Sequence, residues 1–286
     1  MRAANGVSDG PVNNSSSQTE LRIRTAAVLI AVLAGVLLSG QSWLWDLVVL
    51  VLAGVAAREW SGLCHWPSGM CRAFVALVML VSLAMVLWAG HDAWLDAAML
   101  LGALLFWVLV VPFALRTGWS GQGARGVSGV LVIAPLVWAL LWLQQQADGN
   151  LLLIAGMAVV WVSDSAAYFA GRAFGRRKLA PAISPGKTWE GVAGAVAGVV
   201  AYTALLAVSF DGRLPTGLVG LLAITLPMCA LGIVGDLYES WMKRVAGVKE
   251  SGTLLPGHGG LLDRVDALAA ALPLWAGGLW LAGFGA

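Results

Sequence analysis

Apolar positions in this chain run together in long blocks. Nearly unbroken apolar stretches cover residues 73–90, 94–115, 151–170, 191–210, 217–234 and 267–286. Each approaches or reaches the roughly 20 residues that a helix needs to cross a bilayer core. Residues 127–143 form a slightly shorter run between polar loops, and 25–40 and 43–57 are shorter again. The pattern predicts an all-α, polytopic integral membrane protein of about nine transmembrane helices. Three regions follow: a disordered tail at 1–22, N-terminal transmembrane helices at 23–150, and a C-terminal transmembrane region at 151–286. Long polar loops follow the sixth and eighth spans, and long loops in a compact protein commonly carry function.

Charge orients these spans. With the tail placed in the cytoplasm, all 17 basic residues except Arg213 fall in the tail or on loops of that side. The N-terminus and both long loops are then cytoplasmic, the C-terminus lies outside, and the cytoplasmic (inner) membrane is the expected location. Arg22 and Arg24 abut the first apolar run, which favours a retained anchor over a cleaved signal. Only 11% of the residues are charged, against about 25% in a soluble domain. The formal net charge of +2 leaves no footprint for nucleic acid. The three cysteines, Cys64, Cys71 and Cys229, lack the spacing of a disulfide framework or a zinc site.

The few polar residues concentrate in the two long loops. The first, residues 161–191, contains Asp164 near the end of the sixth span, then Arg172, Arg176, Arg177 and Lys178, and then Ser184, Lys187 and Thr188. Gly186-Lys187-Thr188 matches a fragment of a P-loop, but Pro181 stands where that motif requires glycine. Ser184, Lys187 and Thr188 can still bind phosphate at the start of the seventh span, where helix amides attract anions. The second loop spans residues 235–266. On a helix, Asp236, Ser240 and Lys243 share a face, and Arg244 follows Ser240 by four positions. Asp263 and Asp266 lie three apart at the entry to the last span. The oxygens of Asp236, Asp263 and Asp266 suit a hard cation such as Mg2+, which takes one or two carboxylates and fills its shell with water and phosphate oxygens. Both loops together read as a site for a polyphosphate and a second phosphate at the membrane face.

The pattern Ser240-x-x-Lys243-Arg244, then Lys249-Glu250, Gly252, Leu255-Pro256-x-His258-Gly259-Gly260 and Asp263-Arg264-x-Asp266, resembles the signature of the phosphatidate cytidylyltransferases, the CDP-diacylglycerol synthases. Asp164-x-x-Ala167-Tyr168-Phe169-x-Gly171-Arg172 and Ser184-Pro185-x-Lys187-Thr188-x-Glu190-Gly191 resemble the same family. Glu250 stands where that family usually has Asp, and Gly186 where it usually has a second Lys. The resemblance implies transfer of CMP from CTP to phosphatidate, giving CDP-diacylglycerol and pyrophosphate. It implies CTP, phosphatidate and membrane lipid as partners, and leaves a homodimer and a monovalent cation such as K+ open. It assigns Asp236, Lys243, Arg244, His258 and Asp263 to catalysis. Asp164, Ser184, Lys187, Thr188, Ser240, Lys249, Gly259, Gly260 and Arg264 are assigned to substrate, and Asp236, Asp263 and Asp266 to metal. The glycines beside His258 are expected to make room for the triphosphate.

Two other readings compete. A different CTP-dependent lipid-phosphate enzyme, of the polyprenol kinase kind, needs similar loops. A transporter predicts acids near mid-membrane in both halves of the chain. The span acids of the first half, Asp46 and Asp96, instead sit near the outer ends of their segments.

Overall fold

An apolar segment has to satisfy its backbone N–H and C=O groups within itself, and a helix does so completely. The computed structural model, which describes residues 14–88, 92–119, 121–209, 216–254 and 259–284, is accordingly mostly helical. The helices are α1 (Asn14–Ser39), α2 (Ser42–Leu63), α3 (Ser68–Trp88) and α4 (Ala93–Leu105). A π-helical turn (Phe106–Val110) joins α4 to α5 (Val111–Thr117). Then follow α6 (Gln122–Gln145), α7 (Gly149–Phe174), α8 (Trp189–Ser209), α9 (Leu218–Val245) and α10 (Leu262–Leu281). Among the described residues, six helical segments are long and apolar enough to cross a membrane: α3, α4 through α5, α6, α7, α8 and α9. The protein thus has the build of a polytopic membrane protein.

Two local features depart from the sequence reading. Helix α1 begins at Asn14, inside the segment expected to be a disordered tail. It runs continuously into the first apolar run, and Glu20 and Arg24 pair one turn apart at 2.6 Å. The loop after α7 also contains an antiparallel hairpin, β1 (Lys178–Ala180) with β2 (Ser184–Thr188), in which Lys178 faces Thr188 and Ala180 faces Ser184. Strands this short, interrupted by Pro185 and Gly186, carry too little alternation to be read from sequence.

Helix α6 is the hub. It packs against α2, α3, α4, α7 and α10, and residues 132–143 are almost entirely buried. A helix that is apolar all round belongs in such a position. Asp96 of α4 is buried and accepts a hydrogen bond from Trp138 Nε1 of α6 at 2.7 Å, so this acid has a structural partner. On α3, by contrast, Leu77, Leu80, Leu83 and Leu87 point outward, as lipid-facing side chains do.

Helix α7 packs on α8, and α9 on α10. Both pairs approach closely through small residues, a hallmark of membrane helix packing. An added Cβ at Gly198 would meet Ala166 Cβ at 2.7 Å, and one at Gly235 would meet the Asp266 carbonyl at 2.6 Å. These approaches set the spacing of the helix ends that carry the polar side chains. Gly235→Ala should therefore lower the melting temperature in detergent, because overpacking costs about 1–3 kcal/mol. Gly102, with nothing within 4 Å of its missing Cβ, is the control, and Gly102→Ala should be neutral or slightly stabilising. Equal melting curves for the two variants would contradict this account of the α9–α10 contact.

Candidate active site

Helix α9 ends in Asp236, Glu239, Ser240 and Lys243, and its last two turns send these side chains to two places. On one side lies a cleft of about 570 Å3 lined by Asp164, Tyr168 and Arg172 of α7, Ser184, Lys187 and Thr188 of β2, and Asp236. The hairpin delivers Lys187 to α9, where its Nζ lies 2.6 Å from Asp236 Oδ2. Ser240 donates to Asp236 Oδ1 at 3.3 Å, as spacing of one turn predicts. Asp164 opens on the same cleft within electrostatic reach of both Asp236 and Lys187. Arg172 donates to Tyr168 Oη at 3.2 Å at the rim.

Two interactions hold the hairpin in place. Thr188 is buried, and its hydroxyl accepts from the Gly191 N–H at 3.1 Å, which caps the start of α8. Glu190 accepts the backbone N–H groups of Arg176 and Arg177 at 3.0 and 3.1 Å. Thr188, expected at phosphate, thus lines the cleft while its oxygen serves the helix terminus.

On the other side of α9, Lys243 is held between two acids. Its Nζ lies 2.8 Å from Glu239 Oε2 and 2.6 Å from Asp263 Oδ1, and all three side chains are largely buried. Lys243 therefore does not join Asp236 and Ser240, with which helical spacing grouped it. Asp263 Oδ2 accepts from Ser251 N at 2.9 Å, Ser251 Oγ at 3.0 Å and Gly260 N at 2.8 Å. Gly259 adopts a left-handed backbone, φ +79°, and an added Cβ there would also meet Asp263 Oδ2, at 2.7 Å. Arg244, Lys249 and Glu250 are exposed beside this network, as is Arg264 on the first turn of α10. His258 lies outside the described residues.

The sequence reading missed Glu59. This buried acid of α2 accepts from Leu261 N and Leu262 N, each at 2.9 Å, and from Ser251 Oγ at 3.1 Å. Its one trace in the sequence is a carboxylate, next to Arg58, at the end of an apolar run. Glu239 was also missed; its signal is the position one turn before Lys243.

Asp236, Asp263 and Asp266 were expected to share one metal. Among the described residues no three acidic, histidine or cysteine side chains are grouped to hold one. Asp263 Oδ1 faces Lys243, and its Oδ2 accepts from the backbone N–H groups of Ser251 and Gly260. Asp266 turns back to accept from Ala267 N at 2.8 Å. Asp164 and Asp236 offer two carboxylates on the cleft beside space for water and phosphate, a donor set that suits a magnesium ion.

Comparison with known proteins bears on the same residues. Residues 20–281 match the cytidylyltransferase family. A phosphatidate cytidylyltransferase of Pseudomonas aeruginosa is 40% identical over 271 residues, which is 93% of this chain and 98% of that protein. One from Haemophilus influenzae is 32% identical over 278 residues, 89% of this chain and 96% of its own length. One from Bacillus subtilis is 47% identical over 115 residues, 40% of this chain and 42% of its own length. The family match takes in α2, the hairpin, α9 and α10, the elements that build both sides of the site, and by that extent this chain belongs to the cytidylyltransferase family.

Proposed function

We propose that this protein transfers the cytidylyl group of CTP to phosphatidate, giving CDP-diacylglycerol and pyrophosphate in phospholipid biosynthesis. The observation that carries this reading is the whole-length likeness to proteins named for that activity. The cleft supports it, since acids and cations alternate there at helix ends, where a lipid headgroup and a soluble nucleotide can meet. Tyr168, which lines it, and Phe169, Phe174 and Trp189 are exposed toward the end of α7 and the start of α8, as an interfacial aromatic belt is.

A phosphatidate oxygen attacks the α-phosphorus of CTP, and the bond from that phosphorus to the bridging oxygen of the β-phosphate breaks to release pyrophosphate. The nucleophile is ionised near neutral pH, since the second pKa of a phosphate monoester is about 6, and no strong general base is required. The protein's task is to gather phosphates and spread their charge. Lys187 and Arg172 line the cleft as charge-assisted donors, and Lys243 and Arg244 stand on the neighbouring turns of α9. Asp236 and Asp164 would hold magnesium there, and the metal would neutralise phosphate charge. Asp263 would enter that coordination only by giving up Lys243.

Nine spans are also part of this reading. Added to the six helical segments that are long and apolar enough to span, α1, α2 and α10 make nine, and the positive-inside rule then sets the N-terminus and the site in the cytoplasm and the C-terminus outside. Single cysteines replacing Ala147 and Val248, both exposed, test this after removal of Cys64, Cys71 and Cys229. A membrane-impermeant reagent on intact cells should label position 147 and spare 248, and the reverse pattern would overturn the topology.

Purified protein given CTP, phosphatidate and magnesium should release pyrophosphate and leave label from the α-phosphate in a lipid. Free CDP with a newly phosphorylated lipid would instead identify a kinase. In the same assay Asp236→Asn should lower kcat on the order of a thousandfold, because a ligand charge is worth several kcal/mol. Asp164→Asn should raise the magnesium concentration needed for half-maximal rate. Variants that fold normally and keep the wild-type rate and magnesium requirement would remove the metal from this cleft.

A further inference from the structure

Glu59 belongs to α2, about two hundred positions before the residues it binds, and its contacts are unusually complete for a buried acid in an apolar helix. Each of its two oxygens accepts one of the first backbone N–H groups of α10, from Leu261 and Leu262, and Oε2 also receives the Ser251 hydroxyl. Helix α10 has no capping side chain of its own at Leu261. Glu59 supplies the cap from another helix and sets a negative charge at the positive end of α10.

The surrounding backbone is shaped to the carboxylate. An added Cβ at Gly252 would meet Glu59 Oε1 at 2.6 Å, and one at Gly260 would meet Oε2 at 2.5 Å. These two glycines open space for Glu59, and the room at Gly260 is filled by protein. The Ser251 hydroxyl lies 3.1 Å from Glu59 and 3.0 Å from Asp263, so its single proton is shared between the two carboxylates and couples them.

From this geometry we infer that Glu59 is a positioning residue for the transfer reaction: it fixes Ser251 and the backbone of Leu261 and Leu262 and thereby holds Asp263 and Lys243 in register beside the cleft. This rests on the reading of Lys243 as a phosphate donor of the proposed reaction and of Asp263 as the acid that holds it. A carboxylate with three donors and a helix dipole specifies one loop geometry, whereas an amide in its place offers a single acceptor oxygen and turns an N–H2 toward a donor.

The test is Glu59→Gln in the full-length protein, which preserves size. We expect kcat to fall at least about tenfold, the KM for phosphatidate to stay within about threefold, and the melting temperature to stay within a few degrees. Backbone amide exchange at Leu261 and Leu262 should accelerate, since their protecting acceptor is weakened. Ser251→Ala should lower kcat several-fold while exchange at Leu261 and Leu262 stays protected, because it cuts only the link between the carboxylates. A folded Glu59→Gln protein with kcat within about twofold of wild type overturns the inference, as does a loss fully explained by its unfolded fraction. Should Glu59→Gln fail to fold, Ser251→Ala decides, and a wild-type kcat there overturns it equally. Asp263→Asn, assayed alongside, separates the two readings. An active Asp263→Asn removes the role given to Asp263 itself, whereas an inactive one beside an active Glu59→Gln removes Glu59 alone.

Discussion

One ammonium group ties the end of α9 to the start of α10. Lys243 lies between Glu239 on its own helix and Asp263 on the next, with little exposure to solvent for any of the three. In such a place neither acid is stable without the cation, and removing one partner of a buried pair typically costs about 3–5 kcal/mol. The requirement spreads outward. Asp263 can face Lys243 only because Ser251 and Gly260 fill its other oxygen, and those residues are in place only because Glu59 caps the start of α10. A chain of acids and donors therefore runs from α2 to the end of α9.

Placing that network at helix ends follows from the same constraint. Charge is costly within the apolar part of the molecule and cheap at its edge. Helix α9 uses its last two turns to face both ways, with Asp236 and Ser240 toward the cleft and Glu239 and Lys243 toward α10. A helix is stiff, so what grips one side of α9 is communicated to the other. The cleft side is the looser one: Lys187 and Asp236 are each partly exposed, and an arriving phosphate can compete for the lysine.

The sequence alone carried the membrane architecture and the inventory of chemistry. Unbroken apolar blocks of this length specify helices, since a helix satisfies its backbone within the segment itself, and among the described residues six such segments are long and apolar enough to span. The residues of the site were also legible as types, because charged side chains are few and cluster in two loops. Grouping was legible only where it was local, as for Ser240 on Asp236. Tertiary structure alone decided the rest. Helical spacing could not tell that Lys243 would leave the face of Asp236 for Asp263, because the pull comes from a carboxylate on another helix. Nor could it tell that the missing Cβ atoms of Gly252 and Gly260 leave room for Glu59. Glu59 stayed hidden for the same reason: its donors lie some two hundred residues downstream, and a buried carboxylate acquires meaning only from the groups that packing brings within 3 Å of it.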